Sequence, residues 1–288
     1  MRKDHPRKLY KYFPPERTAF FNDLLVRYSQ LGSFNDPFEG RPEISTIVPD
    51  GDFLQKYKKI GNEEFEKVFE ALPAHVKHTI TINQVYSLAD HMMRNQIDSV
   101  HEAISSVTPL VANFFTGKID NLLGVFCLSE VPDSLLMWAH YGASHEGFVV
   151  EFDACHPYFD EAISEEDDLR HIRRVQYRET RPSAQLSEMS ASELFLVKSQ
   201  HWAYENEWRI VRPLDSADKI LPGDPYPTSL FRIPKDAVTG VIFGARIKQE
   251  KIFAIRQDIA ENFKQKNVSL RQAMPDASHF LLQLKELE

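Results

Sequence analysis

The chain is poor in cysteine: Cys127 and Cys155 are the only two in 288 residues, and both sit in apolar sequence. That argues against a disulfide framework and fits a reducing compartment. Glycine is also scarce, at 11 residues, and forms neither Gly-x-Gly-x-x-Gly nor a Walker loop, so no glycine-rich phosphate cradle is expected. His-Glu-x-x-His and Cys-x-x-Cys do not occur, and His140, His145 and His156 lack ligand spacing on one face, so no histidine- or cysteine-held metal centre is expected, while a magnesium held by Asp36, Glu205 and Glu207 stays open. Gly-x-Ser-x-Gly is missing too, which leaves no nucleophile elbow. No apolar run approaches ~18 residues, and Met1 to Pro6 carries no apolar signal region, so the expectation is a soluble, cytoplasmic protein without a membrane partner. Lys and Arg number 34 against 42 Asp and Glu, a net charge of −8. Such a field does not grip nucleic acid as a whole, although a local basic groove is allowed.

What the chain has is apolar residues, at 42% with 11% aromatic, enough for a globular core. Its length lies within the roughly 250–300 residues at which single cores stop growing. One domain spanning 1–288 is expected, with a helical insertion. Leu9 to Phe13 reads as a strand ended by Pro14-Pro15, and Thr18 to Tyr28 as a short helix running into a strand. From 62 to 118 the period becomes helical. Phe65, Val68, Phe69 and Leu72 form one stripe, and Val85, Leu88, Ala89, Met92, Met93, Ile97, Val100 and Ile104 continue it. This insertion is expected to add no catalytic group. Strands return at Gly124 to Ser129, Gly147 to Asp153, Val175 to Tyr177, Glu207 to Arg212 and Gly240 to Gly244. Helices are expected at Leu135 to Met137, Ser192 to Trp202 and 249–265, the last with Ile252, Phe253, Ile255, Ile259 and Phe263 apolar. Strands at Ser269 to Ala273 and Phe280 to Leu284 close the chain. The fold class is α+β, a strand-rich body with an inserted helical segment.

The densest cluster of chemistry is Lys198…Trp202-Ala203-Tyr204-Glu205-Asn206-Glu207-Trp208-Arg209, where acids and bases alternate with aromatics that normally avoid water. If Glu205 to Arg212 is extended, Glu205, Glu207 and Arg209 share one face and Trp208 and Ile210 the other. A carboxylate pair beside a guanidinium can orient a sugar hydroxyl and stabilise a developing cation, hold a metal ion, or form a structural ion-pair network. Asn35-Asp36-Pro37-Phe38-Glu39-Gly40 is a turn with two carboxylates, and Phe38 is expected to pin it to the body. Asp133-Ser134 can cap the helix that ends in Trp138-Ala139-His140-Tyr141-Gly142. Trp138 and Tyr141 then either form a stacking wall, with His140 a donor to phosphate or ribose, or they sit in the core with His140 at the helix C-terminus.

In order, Leu9-Tyr10-Lys11-Tyr12, Asn35 to Glu39, Phe126-Cys127-Leu128-Ser129, Met137 to Gly142 with Gly147 to Asp153, and Lys198 to Arg209 resemble the bacterial domain-of-unknown-function family 2971, over about 8–245. That family brings no established activity. More distantly the chain resembles the ADP-ribosyltransferase superfamily, whose split-sheet α+β folds bind NAD in a cleft between two small sheets. The resemblance implies Lys11 or Tyr12 in the first-strand position, Ser129 on the second strand, and Glu205-Asn206-Glu207 as the late Glu-x-Glu. It implies NAD as substrate, with Glu205, Glu207 and Ser129 catalytic. Tyr10, Lys11, Tyr12, Asn35, Asp36, Glu39, Trp138, His140, Tyr141, Lys198, Tyr204 and Arg209 would bind the substrate. Breaking the nicotinamide–ribose bond passes through an oxocarbenium-like state, which a carboxylate stabilises while a second deprotonates the acceptor.

On this reading the protein is an NAD-consuming transferase or glycohydrolase, a bacterial toxin or phage-defence effector, with a small nucleotide ligand. Its acceptor would be a protein or nucleic acid, and an antitoxin a further partner. The competing readings are a metal-dependent nuclease or phosphoesterase using Asp36, Glu39, Glu205, Glu207 and Lys198, and a non-catalytic ligand-sensing or interaction domain. All require the named segments to meet in one cleft.

Overall fold

The computed structural model describes residues 5–47, 50–73, 77, 81–165, 167, 169–264 and 266–287. The side chains of 50–58, 61, 88–90, 92–98, 100 and 101 lie outside the described residues, and with them the expected stripe through Leu88, Ala89, Met92, Met93, Ile97 and Val100.

The chain opens with β1 (Lys8–Phe13), α1 (Phe20–Asp23), β2 (Leu25–Tyr28) and β3 (Glu43–Ile44). Two helices follow, α2 (Asp50–Ala71) and α3 (Ile82–Leu122), and then β4 (Leu123–Ser129), α4 (Leu135–Tyr141) and β5 (Phe148–Asp153). Short strands β6 (Arg173–Arg174), β7 (Gln176–Arg178) and β8 (Ser183–Ala184) precede α5 (Ala191–Phe195), β9 (Val197–Ser199) and β10 (Glu207–Pro213). The C-terminal part carries β11 (Lys219–Leu221), β12 (Thr228–Arg232), β13 (Val238–Phe243), α6 (Gln249–Asn262), β14 (Ser269–Pro275) and β15 (Leu282–Glu286). No helix among the described residues is long and apolar enough to cross a membrane.

Two compact units emerge. One comprises Met1–Arg41, Gly117–Pro182 and Ser190–Glu288, and the other Pro42–Thr116 with Ser183–Met189. The second unit holds α2, most of α3 and the parallel pair β3–β8. The first unit is built on an eight-stranded sheet in the order β15-β14-β13-β5-β1-β4-β10-β6, so the chain is α+β with a large mixed sheet.

Period-two alternation gives that sheet two different faces. Leu9, Phe13, Phe126, Leu128, Trp208 and Ile210 enter the larger core, together with Phe20, Phe148, Phe152 and the α6 residues Ile252, Ile255 and Ile259. Each such side chain contributes roughly 1.5–3 kcal/mol on burial. On the other face Tyr10, Tyr12, Val149 and Ile242 pack against Met137 and Trp138 of α4. Ser134 caps α4 as its sequence implies, its hydroxyl accepting from the Met137 amide at 3.4 Å.

Several local expectations change. Lys198 lies on a strand, because the helix begun at Ala191 stops at Phe195 and β9 follows. Phe253 points to solvent at 71% exposure rather than joining the apolar face of α6. Cys155 is exposed, and only Cys127 sits in a shielded place. Phe38 is 58% exposed, so it does not pin its loop.

Gly147 joins the α4 turn to β5, and a Cβ there would lie 2.1 Å from the Phe13 carbonyl oxygen. Gly117, inside α3, has no atom within 4 Å of the same position. Gly147→Ala should therefore lower stability by about 1–3 kcal/mol through overpacking. Gly117→Ala should raise it by about 0.5–1 kcal/mol by removing helix-interior glycine. Urea midpoints of the two variants should move in opposite directions; a shift of the same sign in both would contradict the packing.

Candidate functional site

A gap in the large sheet makes the site. β1 pairs with β5 along all six of its residues, but with β4 only where Tyr10 faces Ser129. Beyond that pair the two strands part. The Cys127 carbonyl on the freed edge of β4 accepts from the Lys11 ammonium at 2.9 Å. At the far end of the gap Ser29 takes over, exchanging backbone hydrogen bonds of 2.9 and 2.8 Å with Val125. A backbone edge left without partners would be costly; here a lysine and a loop residue satisfy it while leaving room between the strands. That room is a cavity of about 220 Å³. It is smaller than the roughly 300–1,000 Å³ of pockets that enclose a drug-sized ligand, so a dinucleotide would lie only partly inside.

Register aligns the walls. Gly240, Glu151, Tyr10, Ser129 and Glu207 form one row across five neighbouring strands, and so share a face. Glu205 does not continue the β10 strand, as an extended reading requires. It ends a 3-10 turn over Gln200–Glu205, and the left-handed Asn206 (φ 43°) swings the chain into β10. Glu205 reaches the same cavity nonetheless.

The floor is a buried charge network of three carboxylates and two cations. Arg209, fully buried, forks onto Glu207 with Nε and Nη2 each donating at 2.8 Å. Its Nη2 also donates to Glu39, and its Nη1 to the Phe195 carbonyl at 2.7 Å. Lys198 donates to Glu205 at 2.5 Å and to Glu207 at 3.0 Å, lies 3.5 Å from Glu39, and stands 5.2 Å from the Trp202 ring centre. The second Glu205 oxygen accepts from the Tyr141 hydroxyl at 2.6 Å. The Tyr177 hydroxyl accepts from the Glu207 amide at 2.8 Å.

The carboxylates titrate apart. Burial would raise the Glu207 carboxyl, but Arg209 and Lys198 outweigh it and hold it well below the usual range. Burial raises Glu205; Lys198 and Tyr141 pull it back, and Glu207 pushes it up again, leaving it above the ordinary value. Burial likewise raises Glu39 against the pull of Arg209. Burial, assisted by Glu205, keeps the Tyr141 phenol protonated. Lys198 stays charged because Glu207 and Glu39 overcome its desolvation.

Of the residues marked in the sequence, Tyr10, Lys11, Tyr12, Asn35, Asp36, Glu39, Ser129, Tyr141, Lys198, Glu205 and Glu207 line this cavity. The loop of Asn35 to Glu39 is anchored by Glu39 on Arg209, while Asp36 accepts from the Phe38 amide in a local turn. Four residues fall elsewhere. Trp138 is fully buried with its indole N–H on the Pro132 carbonyl at 2.9 Å, so it is core and not a stacking wall. Arg209 belongs to the floor network but does not face the cavity, its donors being engaged on protein groups. His140 and Tyr204 pair with each other at 2.9 Å on the surface, outside the cavity lining. Ser129 lines the cavity, but its hydroxyl is committed to the Glu205 carbonyl at 2.6 Å. Phe34, Cys127 and Trp202 line the cavity without having been marked, and Tyr177 supports it from β7. Only Trp202 carried a signal, its place in the dense motif.

Residues 137–210 match the model of a family described as a protein of unknown function (DUF2971). The match takes in Tyr141, Lys198, Glu205, Glu207 and Arg209, the greater part of the charged floor, but neither β1 nor the loop that carries Glu39. Comparison with curated proteins and with solved structures gives no match. Among the described residues no group of three or more His, Cys, Asp or Glu is placed to hold a metal.

Two outcomes follow from the network. Arg209→Leu leaves Lys198 as the single cation for Glu207, Glu39 and Glu205 and should cost about 3–5 kcal/mol. Because the folded Glu207 value is lowered, its contribution is present above the ordinary glutamate pKa of about 4.3 and is lost as pH falls through that range and below. The raised Glu39 and Glu205 act with opposite sign, opposing folding at neutral pH and ceasing to do so as they protonate. Denaturant unfolding at falling pH should show Glu207→Gln flattening the acid loss of stability and Glu205→Gln leaving it at least as steep. Equal slopes in the two variants would contradict the assignment.

Proposed function

We propose that the cleft binds NAD or a closely related ribosyl compound and breaks the bond between ribose and its cationic base, as an ADP-ribosyltransferase or NAD glycohydrolase does. The observation that carries this reading is the single row of Tyr10, Ser129 and Glu207 across three adjacent strands at the point where the sheet splits. The first strand, the serine strand and the start of the Glu-x-Glu strand are thus neighbours, with Tyr10 in the row where the superfamily resemblance implies Lys11 or Tyr12.

The chemistry is consistent. Three carboxylates against two cations leave one net negative charge beside aromatic walls of Tyr10, Phe34 and Trp202. Such an environment favours a cationic ring and the positive charge that develops on the ribose as the bond breaks. The C–N bond electrons leave with the base, which departs neutral. Glu207, permanently ionised, stabilises the ribosyl cation. Glu205, with its raised affinity for protons, takes the proton of the acceptor hydroxyl as the new bond forms. With water as acceptor the products are the free base, ADP-ribose and a proton. In a toxin or phage-defence effector the acceptor would instead be a protein or nucleic acid, and an antitoxin would have to block this cleft.

Metal-dependent hydrolysis is less well supported, because the Lys198 ammonium already stands among Glu39, Glu205 and Glu207 where a divalent ion would need to sit. One observation favours a purely structural network: both Glu207 oxygens are already engaged by cations.

Turnover and melting temperature separate these readings. Glu205→Gln should lower NAD cleavage roughly a hundred- to thousandfold with little change in melting temperature. Glu207→Gln should lower both, since it also unpairs Lys198 and Arg209. No NAD cleavage by the wild-type chain with water, protein or nucleic-acid acceptors, or full cleavage by Glu205→Gln, would overturn the proposal and leave the structural network.

A further inference from the structure

Helix α4 gives Met137 and Tyr141 to the cleft, and its first residue, Leu135, to a separate cavity of about 540 Å³. The turn between β14 and β15 forms much of that second cavity, joined by Ala245 and Arg246 after β13 and by His145 of the loop after α4. Its backbone is unusual. Ala143, Ser144 and His145 are consecutive left-handed residues, with φ of 48°, 55° and 73°. A side-chain-bearing residue rarely adopts this conformation even singly, and such strain gathers at working sites. The turn is held by the His145 amide on the Trp138 carbonyl at 3.3 Å and the Arg246 amide on the His145 carbonyl at 2.9 Å. It lays the His145 ring on Trp138 at 6.2 Å and 10°.

Two polar groups of this cavity are unspent. The Nδ1 of His145 is buried and has no hydrogen-bond partner among the described residues. Burial, and then the charge of Arg246, lower its affinity for protons, so the ring is a neutral hydrogen-bonding group. Arg246, exposed at the cavity wall, has no ion pair among the described residues. The acid that lines the cavity with it, Asp276, is taken up by its own turn. One oxygen accepts from the Ser278 amide at 2.8 Å, the Ser278 hydroxyl at 3.0 Å and the His279 amide at 2.9 Å, and the other accepts from the Gln283 amide. Those Ser278 and His279 donors hold it down to about 2, so it stays anionic. The rest of the wall is apolar and open: Phe280 is fully exposed, with Leu135 at 40% and Leu281 at 46%.

We infer that this cavity is a binding site for an apolar monocarboxylate, with the carboxylate on the Arg246 guanidinium and the apolar body against Leu135, Phe280 and Leu281. A planar guanidinium matches a carboxylate through two parallel hydrogen bonds. One such fork, with a neutral imidazole beside it, suits a single charge. The fixed anion of Asp276 opposes any anion, and a phosphate dianion about twice as strongly as a monocarboxylate. The three exposed apolar side chains lose water contact only when something apolar lies on them. This inference is independent of the chemistry assigned to the cleft.

The test is calorimetric titration of the full chain with octanoate, octylamine and inorganic phosphate. Octanoate should bind saturably at one site, while octylamine and phosphate should not. Arg246→Gln should weaken octanoate binding at least about tenfold, the scale of a lost charge-assisted fork. Phe280→Ser should weaken it as well. Both residues are exposed, so the unliganded variants should melt as the wild type does. If Arg246→Gln loses stability, Arg246→Lys keeps the charge without the fork and should still bind more weakly than the wild type. Absence of saturable octanoate binding, binding unchanged in Arg246→Gln or Phe280→Ser, or equal binding of phosphate would each overturn the inference.

Discussion

The buried guanidinium of Arg209 ties the loop that carries Glu39, 170 residues away in sequence, to the end of α5 and the start of β10. Its donors reach Glu39 in the loop after β2, the Phe195 carbonyl at the end of α5, and Glu207 at the start of β10. A guanidinium taken wholly out of water is tolerable only when its hydrogen bonds are met, and here protein groups meet them. Lys198 then bridges Glu207 to Glu205 and Glu39. The position of every carboxylate on the cavity floor depends on this arrangement. Pairs of this kind set geometry more than they add stability: a well-packed apolar substitute for the whole set could match them energetically, but it would not hold charges at fixed places.

The gap in the sheet is the second constraint. β1 leaves β4 after one residue pair, and Lys11 and Ser29 satisfy the edge so exposed. A cavity lined on one side by strand edges and on the other by a charged floor results. The difference between the two carboxylates follows from the cations each one meets, since both are buried. Glu207 lies beneath two cations and remains ionised. Glu205, one left-handed residue earlier, meets a single cation and a phenol, and its proton affinity rises. Two chemically identical side chains two residues apart acquire opposite properties from their neighbours alone.

Much of this was legible in the residues. Short apolar, β-branched and aromatic runs located β1, β4, β5, β10 and β13, because strands buried on both faces read as continuous apolar stretches. Asp133-Ser134 located the start of α4. The meeting of the Asn35 to Glu39 loop with the Lys198 to Arg209 segment was foreseeable, because both join ionisable side chains to aromatics beside a strand end. Depth was not. Nothing local distinguishes Trp138, which is core, from Trp202, which lines the cavity; the difference lies in what packs above each. In the sequence Glu205, Glu207 and Arg209 fit a reactive cluster, a metal site or a structural ion-pair network alike, because a strand pattern tells the side of a strand and not what covers it. The expected helix through Lys198 failed for a related reason: the capping box of Ser190 and Glu193 starts a helix, but pairing of β9 with β7 ends it after one turn. Tyr177 left no trace, since its contact is to a backbone amide of a distant strand.

The division between Glu205 and Glu207 is the centre of this account, and carboxyl carbon-13 NMR measures it directly. With selectively labelled glutamate, assigned through Glu205→Gln and Glu207→Gln, the two resonances can be followed as pH is lowered in the intact chain. Glu207 should show no titration until the fold is lost, while Glu205 should titrate above the ordinary glutamate value of about 4.3. Glu205 titrating at or below that value, or the two carboxyls titrating together, would contradict the separation of their proton affinities on which the proposed roles rest.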